Sequence, residues 1–284
     1  MLILATRAMG QAPGVPIVRD RGEQFEALVQ KANGLRQQGK LITVEAVTRQ
    51  MQRTQCELRL PPVFTNKLTD REIWRRAHDA HVRVGWHYQC KRCDDWHQNL
   101  AGGYFITSDG AVATCHHVID PGEDYKQGYL VAAREDGTLL PVLEVLATDE
   151  AADTAIIRVQ SDEPTKPLPL NAAVYPGDAA WCYSDPLGRS SYFSKGMVNR
   201  FFEMRRRGKR TPRMDVSTDW APGSSGAAVL DECGNAIGHV SEISTPGGRR
   251  RSGTNTMASA GSPMITFHYA ARAADVQGLV QPGK

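Results

Sequence analysis

No stretch of this sequence approaches the roughly 18 consecutive apolar residues that a membrane-spanning helix requires, so no membrane span is expected. Charge of one sign is scarce as well. Lys and Arg exceed Asp and Glu by a formal +3, too little by itself to indicate a nucleic-acid partner. Cysteine is sparse: six residues in 284, at Cys56, Cys90, Cys93, Cys115, Cys182 and Cys233, do not make a dense disulfide framework, although an even count suits an oxidising compartment. Residues 1–11 are weakly apolar, carry Arg7 and have no basic stretch ahead of them. They make a poor signal peptide as written. The compartment stays open, with an extracytoplasmic one slightly favoured. No internal repeat stands out. Neither hydrophobic content, 41%, nor charged content, 23%, is unusual, which argues against wholesale disorder.

What is present divides into two textures. Residues 1–80 read as an N-terminal helical region. In residues 23–38, Phe25, Leu28 and Val29 fall at helical spacing. Residues 44–58 are similar but ambiguous, and Pro61-Pro62 marks a break. Thr69 is a good N-cap with Glu72 at the capping-box position, opening a helix through Ile73, Trp74 and Ala77. From His81 onward, short strand-like runs appear: VRVGW, GYFIT, AVATC, AIIRV, AAWCY, AAVLD, AIGHV and TFHYA. Turn signals such as Ser108-Asp109-Gly110 and Asp136-Gly137 separate them. Residues 81–284 therefore read as an all-β domain, a sandwich or a pair of barrels. Residues 203–213 and 244–260 look like loops.

Three short segments suggest chemistry. Ser225 sits within Pro222-Gly223-Ser224-Ser225-Gly226. A serine needs a base to take its proton and backbone N–H donors where negative charge develops. Small flanking residues let the chain turn tightly enough to supply them. Alone, that match is weak, because glycine-serine loops are common. His117, in Thr114-Cys115-His116-His117-Val118, follows an Asp-Gly turn and a strand. A lone histidine there is more often a surface or core residue. Asp153 leads directly into the hydrophobic strand Thr154-Ala155-Ile156-Ile157. It can be buried there to orient a histidine, or simply start the strand.

The ordered set His117, Asp153, Ser225 resembles that of the trypsin-like peptidases of the chymotrypsin fold, with the bacterial HtrA-like branch most similar. Residues 103–110 look like the family's first hairpin, and residues 114–118 like its TxxHV motif. Residues 153–159 resemble its DLAVLKV segment, residues 177–188 its GxxVxAIGNPxG segment and residues 194–198 its SxGxV strand. Ser224-Ser225-Gly226 falls at the GNSGG position, and residues 266–280 are similar to the closing strand and helix. The likeness spans about residues 82–280. It implies a mainly β fold of two six-stranded antiparallel barrels, here preceded by the helical region. It also implies a serine endopeptidase acting on protein or peptide substrates. Ser225 would be the nucleophile, His117 the base and Asp153 its orienting partner, with the N–H groups of Gly223 and Ser225 as oxyanion hole and no cofactor.

Departures bear on how far this likeness extends. Ala227 replaces the usual second glycine. Ser224 stands where digestive enzymes carry an aspartate, so activation by a newly cut N-terminus is not expected. No PDZ-like segment follows the catalytic region, and the regulation of HtrA enzymes is not carried over. For the substrate pocket, Asp219 lies six residues before Ser225, an offset that selects Lys or Arg in the trypsin branch but not in the HtrA branch. Ser241 would line the strand that pairs with substrate. The alternative function is a catalytically silent or latent protease-fold binding protein, with regulation by a Cys/His cluster as an option.

Outside this set, His87, Cys90, Cys93 and His97 form H-x2-C-x2-C-x3-H. Thiolates and imidazoles suit zinc, but the spacing is compact. A Cys90–Cys93 disulfide is somewhat the better expectation, so no metal is assigned. Cys115 reads as a buried thiol and His116 as a neighbour without a role. The arginine-rich run at residues 205–210 reads as a solvated hairpin tip.

Overall fold

The computed structural model describes residues 17, 18, 20, 22–122, 125–206, 208–245 and 265–282. In chain order its elements are α1 (Gly22–Gln37), β1 (Ile42–Thr43), α2 (Val44–Gln50), β2 (Cys56–Leu58), α3 (Asp70–Ala80), β3 (His81–Cys90), β4 (Trp96–Phe105), β5 (Ala111–Thr114), α4 (His116–Ile119), β6 (Tyr125–Ala133), β7 (Leu139–Asp149) and β8 (Thr154–Val159). Then follow β9 (Ala179–Ser184), β10 (Tyr192–Arg206), β11 (Lys209–Val216), β12 (Ala228–Leu230), β13 (Ala236–Ser244), β14 (Phe267–Arg272), α5 (Ala273–Gln277) and β15 (Val280–Pro282).

Strands β3 to β8 form a ring in the order β6-β3-β4-β5-β8-β7, closed by pairing of β6 with β7. The short β1 adds to the outside of β6. Strands β9 to β14 form a closed antiparallel barrel in the order β10-β11-β14-β13-β12-β9. The expected mainly β architecture of two six-stranded antiparallel units is borne out. Each ring is filled by the inward-facing residues of its strands, which alternate with outward-facing ones. Val82, Val84, Phe105, Leu130, Val142 and Ile157 pack inside the first. Val198, Met214, Val229, Val240 and Ala270 pack inside the second.

The helical segments dock on these rings. Thr69 caps α3 through a complete capping box with Glu72, as the sequence suggested. That satisfies backbone N–H groups a helix start would otherwise leave unpaired. Its Ile73 and Ala77 are buried against Tyr104, Ile106, Trp181, Tyr183 and Leu230. Burial of Ile73 alone is worth about 2 kcal/mol. Residues 44–58 resolve their ambiguity into two elements, α2 and β2, the latter pairing in parallel with β15.

The loop expected at residues 203–213 is corrected. These residues continue β10 and β11 as a long hairpin, with Glu203 opposite Pro212 and Arg206 opposite Lys209. The run is polar, but its innermost pair, Arg206 and Lys209, brackets a tight turn at Gly208, whose positive φ of 79° suits glycine. Residues 246–260 lie outside the described residues.

Candidate active site

His117 and Asp153 come from the first ring. His117 lies in the single turn of α4, which follows β5 directly, and its side chain is 38% exposed. Asp153 closes the turn between β7 and β8 and is fully buried. Its backbone is left-handed, with φ of 56°, an uncommon conformation outside glycine. The two residues meet closely. His117 Nδ1 lies 3.0 Å from Oδ1 and 2.9 Å from Oδ2 of Asp153. The main-chain N–H of His117 also donates to Oδ1 at 3.2 Å.

Two further side chains converge on the same carboxylate. Ser241 Oγ donates to Oδ2 at 2.6 Å, and Arg206 Nη1 lies 3.1 Å from Oδ2. Ser241 sits at a register shift between Val240 and Glu242 in the β13–β14 pairing. Such a bulge re-aims a side chain, here across from the second barrel into the first. Burial alone would raise the Asp153 carboxyl. The bonds from His117 and Ser241 and the charge of Arg206 outweigh it and hold the group well below the ordinary carboxylate range. Behind the pair, His239 Nε2 is 3.1 Å from the Asp153 carbonyl oxygen. Burial lowers the His239 imidazole, so it is a neutral support.

Ser225 comes from the second barrel, in the turn that enters β12. Gly223 and Gly226 both have positive φ, 100° and 81°. A side chain at Gly226 would place its Cβ 2.3 Å from Gly102 O and 2.3 Å from Thr114 Oγ1. The turn is tied to both rings: Gly102 N donates to Ser225 O at 2.7 Å, and Gly226 N to Val240 O at 2.8 Å. The amides of Ser224, Gly226 and Ala227 all donate within the fold. Among the described residues, those of Gly223 and Ser225 donate to no protein acceptor. Ser225 Oγ and His117 likewise share no hydrogen bond. Beneath the turn, Leu187 N donates to Pro222 O at 2.8 Å. The neighbouring Asp185 is bound by Arg83 from β3, both side chains being buried.

Other sequence candidates fall elsewhere. Asp219 is exposed, with its main chain tied to Ser194 Oγ through bonds of 3.1 and 3.0 Å. Cys115 is a buried free thiol donating to Val240 O at 3.0 Å, and burial raises it far above the usual thiol range. All six cysteines are free, so the disulfide expected at Cys90–Cys93 is not formed. Cys90, Cys93 and His97 do converge, with ligand atoms within 4.8 Å of one another. His87 does not join them. Strand pairing sets Tyr88 opposite His97 but His87 opposite Gln98, and successive residues point to opposite faces. His87 is buried, stacked on Trp96 at 4.7 Å and bonded to Asn33 Oδ1 at 3.2 Å. Burial lowers it to about 4.

Sequence reasoning missed Arg206 and the bond from Ser241 to Asp153. Arg206 is one of several arginines in a polar run, and nothing local marks it.

Residues 101–238 match the trypsin-like peptidase domain, a span containing His117, Asp153 and Ser225. A probable periplasmic serine endoprotease, DegP-like, of Pseudomonas savastanoi pv. phaseolicola is 27% identical over 158 residues, covering 53% of this chain and 30% of that protein. The putative serine protease HhoB of Synechocystis sp. is 25% identical over 150 residues, covering 51% of this chain and 35% of that protein. The chain thus spans about a third of the length of these relatives. The resemblance to trypsin-like peptidases and their HtrA-like branch is borne out. Among the described residues, no helix is long and apolar enough to cross a membrane.

Proposed function

We propose that this chain, whose residues 101–238 match the trypsin-like peptidase domain, is a serine endopeptidase that cuts protein or peptide substrates with His117, Asp153 and Ser225. The observation that carries the reading is the buried Asp153 carboxylate on Nδ1 of a half-exposed His117. A carboxylate there holds the proton on Nδ1 and leaves Nε2 as the base. As Ser225 Oγ attacks a peptide carbonyl, Nε2 takes its proton. The charge on the imidazolium faces Asp153, and the charge on the tetrahedral oxygen faces the N–H groups of Gly223 and Ser225. Those two amides have no competing acceptor among the described residues, as an oxyanion site requires. His117 then protonates the leaving amine, and water releases the acyl group by the reverse sequence. No cofactor enters. The Ser225–His117 bond forms as substrate closes the site, since such bonds are often long in free enzymes.

We assign residues 1–80 to an N-terminal helical region and residues 81–284 to a peptidase domain. Asp219 remains the candidate for a pocket that selects basic residues. Ser241 lines the strand that pairs with substrate, its hydroxyl held by Asp153.

An irreversible serine-directed phosphonate tests the reading. Mass spectrometry is expected to find one adduct per chain, on Ser225, with none in Ser225→Ala. Folded protein that takes no label would instead support a catalytically silent protease-fold binding protein.

A further inference from the structure

The turn joining β3 to β4 gathers three metal-ligating side chains that the peptidase reading does not use. Cys93 Sγ lies 3.0 Å from His97 Nε2, and the ligand atoms of Cys90, Cys93 and His97 all fall within 4.8 Å of one another. In a tetrahedral zinc site with bonds of about 2.0–2.3 Å, ligand atoms stand about 3.5–3.8 Å apart. The three atoms are therefore near coordinating positions without movement of the strands.

The backbone favours this arrangement. Cys90 N donates to Asp95 O at 3.0 Å and Asp94 N to Cys90 O at 3.2 Å, closing the turn. Asp94 adopts a left-handed φ of 61°, which an Asp tolerates better than most residues. Arg92 N donates to Cys90 Sγ at 3.3 Å, an N–H···S bond that stabilises a thiolate. Lys126, on the neighbouring β6, pairs with the Asp94 carboxylate. The remaining side of the cluster is open, since Cys93 is exposed.

We propose that Cys90, Cys93 and His97 bind one zinc ion, with water in the fourth position. Binding releases the protons of the two thiols and joins the end of β3 to the start of β4. The site is separate from the proposed catalytic groups. His97 precedes Gly102, which bonds to Ser225, by five residues of β4, roughly 17 Å of extended chain. The inference therefore does not depend on the peptidase reading.

The test uses the full chain without an affinity tag, purified in reductant from zinc-supplemented culture. Elemental analysis is expected to find one zinc per chain. After chelation, added cobalt(II) is expected to give the intense charge-transfer absorption of thiolate ligands. Cys93→Ser and His97→Ala are each expected to weaken zinc affinity at least tenfold, whereas Cys233→Ser, at a cysteine remote from the turn, keeps one zinc. Three results would overturn the site: wild-type chain that neither carries zinc nor takes it up at micromolar metal, cobalt binding without thiolate absorption, or full zinc retention in the Cys93→Ser/His97→Ala double variant. The cobalt spectrum is read on folded wild type, so misfolding of a variant cannot imitate success.

Discussion

Arg206 Nη1, near the tip of the β10–β11 hairpin, lies 3.1 Å from Oδ2 of the buried Asp153. The guanidinium is an ion-pair partner of that carboxylate, beside the hydrogen-bonded His117 and Ser241. An ionised carboxylate removed from water is costly unless it is paired and hydrogen-bonded, and these three groups supply the compensation. The hairpin of the second barrel thus completes a charge cluster seated in the first ring.

Arg206→Gln removes the charge but keeps a polar side chain. The expected outcome is a fall of about tenfold in kcat/KM, matching a lost charge-assisted contact of about 1.5 kcal/mol. Arg206→Lys recovers part of it, since an ammonium retains the charge without the planar fork. Steady-state kinetics on one peptide substrate checks both. Unchanged kcat/KM in the glutamine variant would show that Arg206 has no positioning role.

Acid stability follows from the same carboxylate. The Asp153 carboxyl is lower in the folded chain than in the unfolded one. Its contribution is therefore present above about pH 4, the unfolded value. It is lost as the pH falls from there toward the folded value, because the unfolded chain takes up the proton first. The slope is about 1.4 kcal/mol per pH unit for one such group. Asp185, also held low against its burial by His81 and Arg83, acts with the same sign. Thermal unfolding between pH 5 and pH 2.5 should show a falling Tm, with a shallower slope in Asp153→Asn. Equal slopes would contradict the assignment.

Ser241→Ala deletes one hydrogen bond to a charged acceptor. Its cost is about 1.5–3 kcal/mol where the acceptor stays buried. A drop of about tenfold or more in kcat is expected, with little change in KM, because the hydroxyl faces Asp153 rather than substrate. A rise in KM at constant kcat would instead place Ser241 in the substrate pocket.

Two glycines are expected to respond with opposite sign. Gly226→Ala forces a Cβ to 2.3 Å from Gly102 O at a φ of 81°, so a loss of more than 2 kcal/mol is expected. Gly34, inside α1, has nothing within 4 Å of a Cβ position. Gly34→Ala is expected to stabilise by about 0.5–1 kcal/mol through helix propensity. Chemical denaturation of both variants measures the contrast.

Much of the fold was legible where the signal is local. The capping box at Thr69 and Glu72 places the start of α3, and alternating or β-branched runs locate β3, β5, β8, β9 and β13. Residues 203–213 misled because polarity suggested a loop. A two-stranded ribbon reaching beyond its barrel can be polar on both faces, so composition hides it. The ordered positions of His117, Asp153 and Ser225 could be proposed from sequence because, with the segments around them, they resemble the motifs of the trypsin-like peptidases. Arg206 and the Ser241 hydroxyl could not. Their meeting with Asp153 is made by barrel closure and by a bulge in β13, neither of which leaves a spacing pattern. His87 was grouped with Cys90, Cys93 and His97 by proximity in sequence, whereas the two-residue period of β3 sends it to the other face.

The most direct measurement is hydrolysis of a mixed peptide library by the wild type and by Ser225→Ala. Cleavage by the wild type is expected, with a loss of several orders of magnitude in turnover in the variant; cuts after Lys or Arg would also assign Asp219 to the pocket. Cleavage that persists in Ser225→Ala at the wild-type rate would contradict the account.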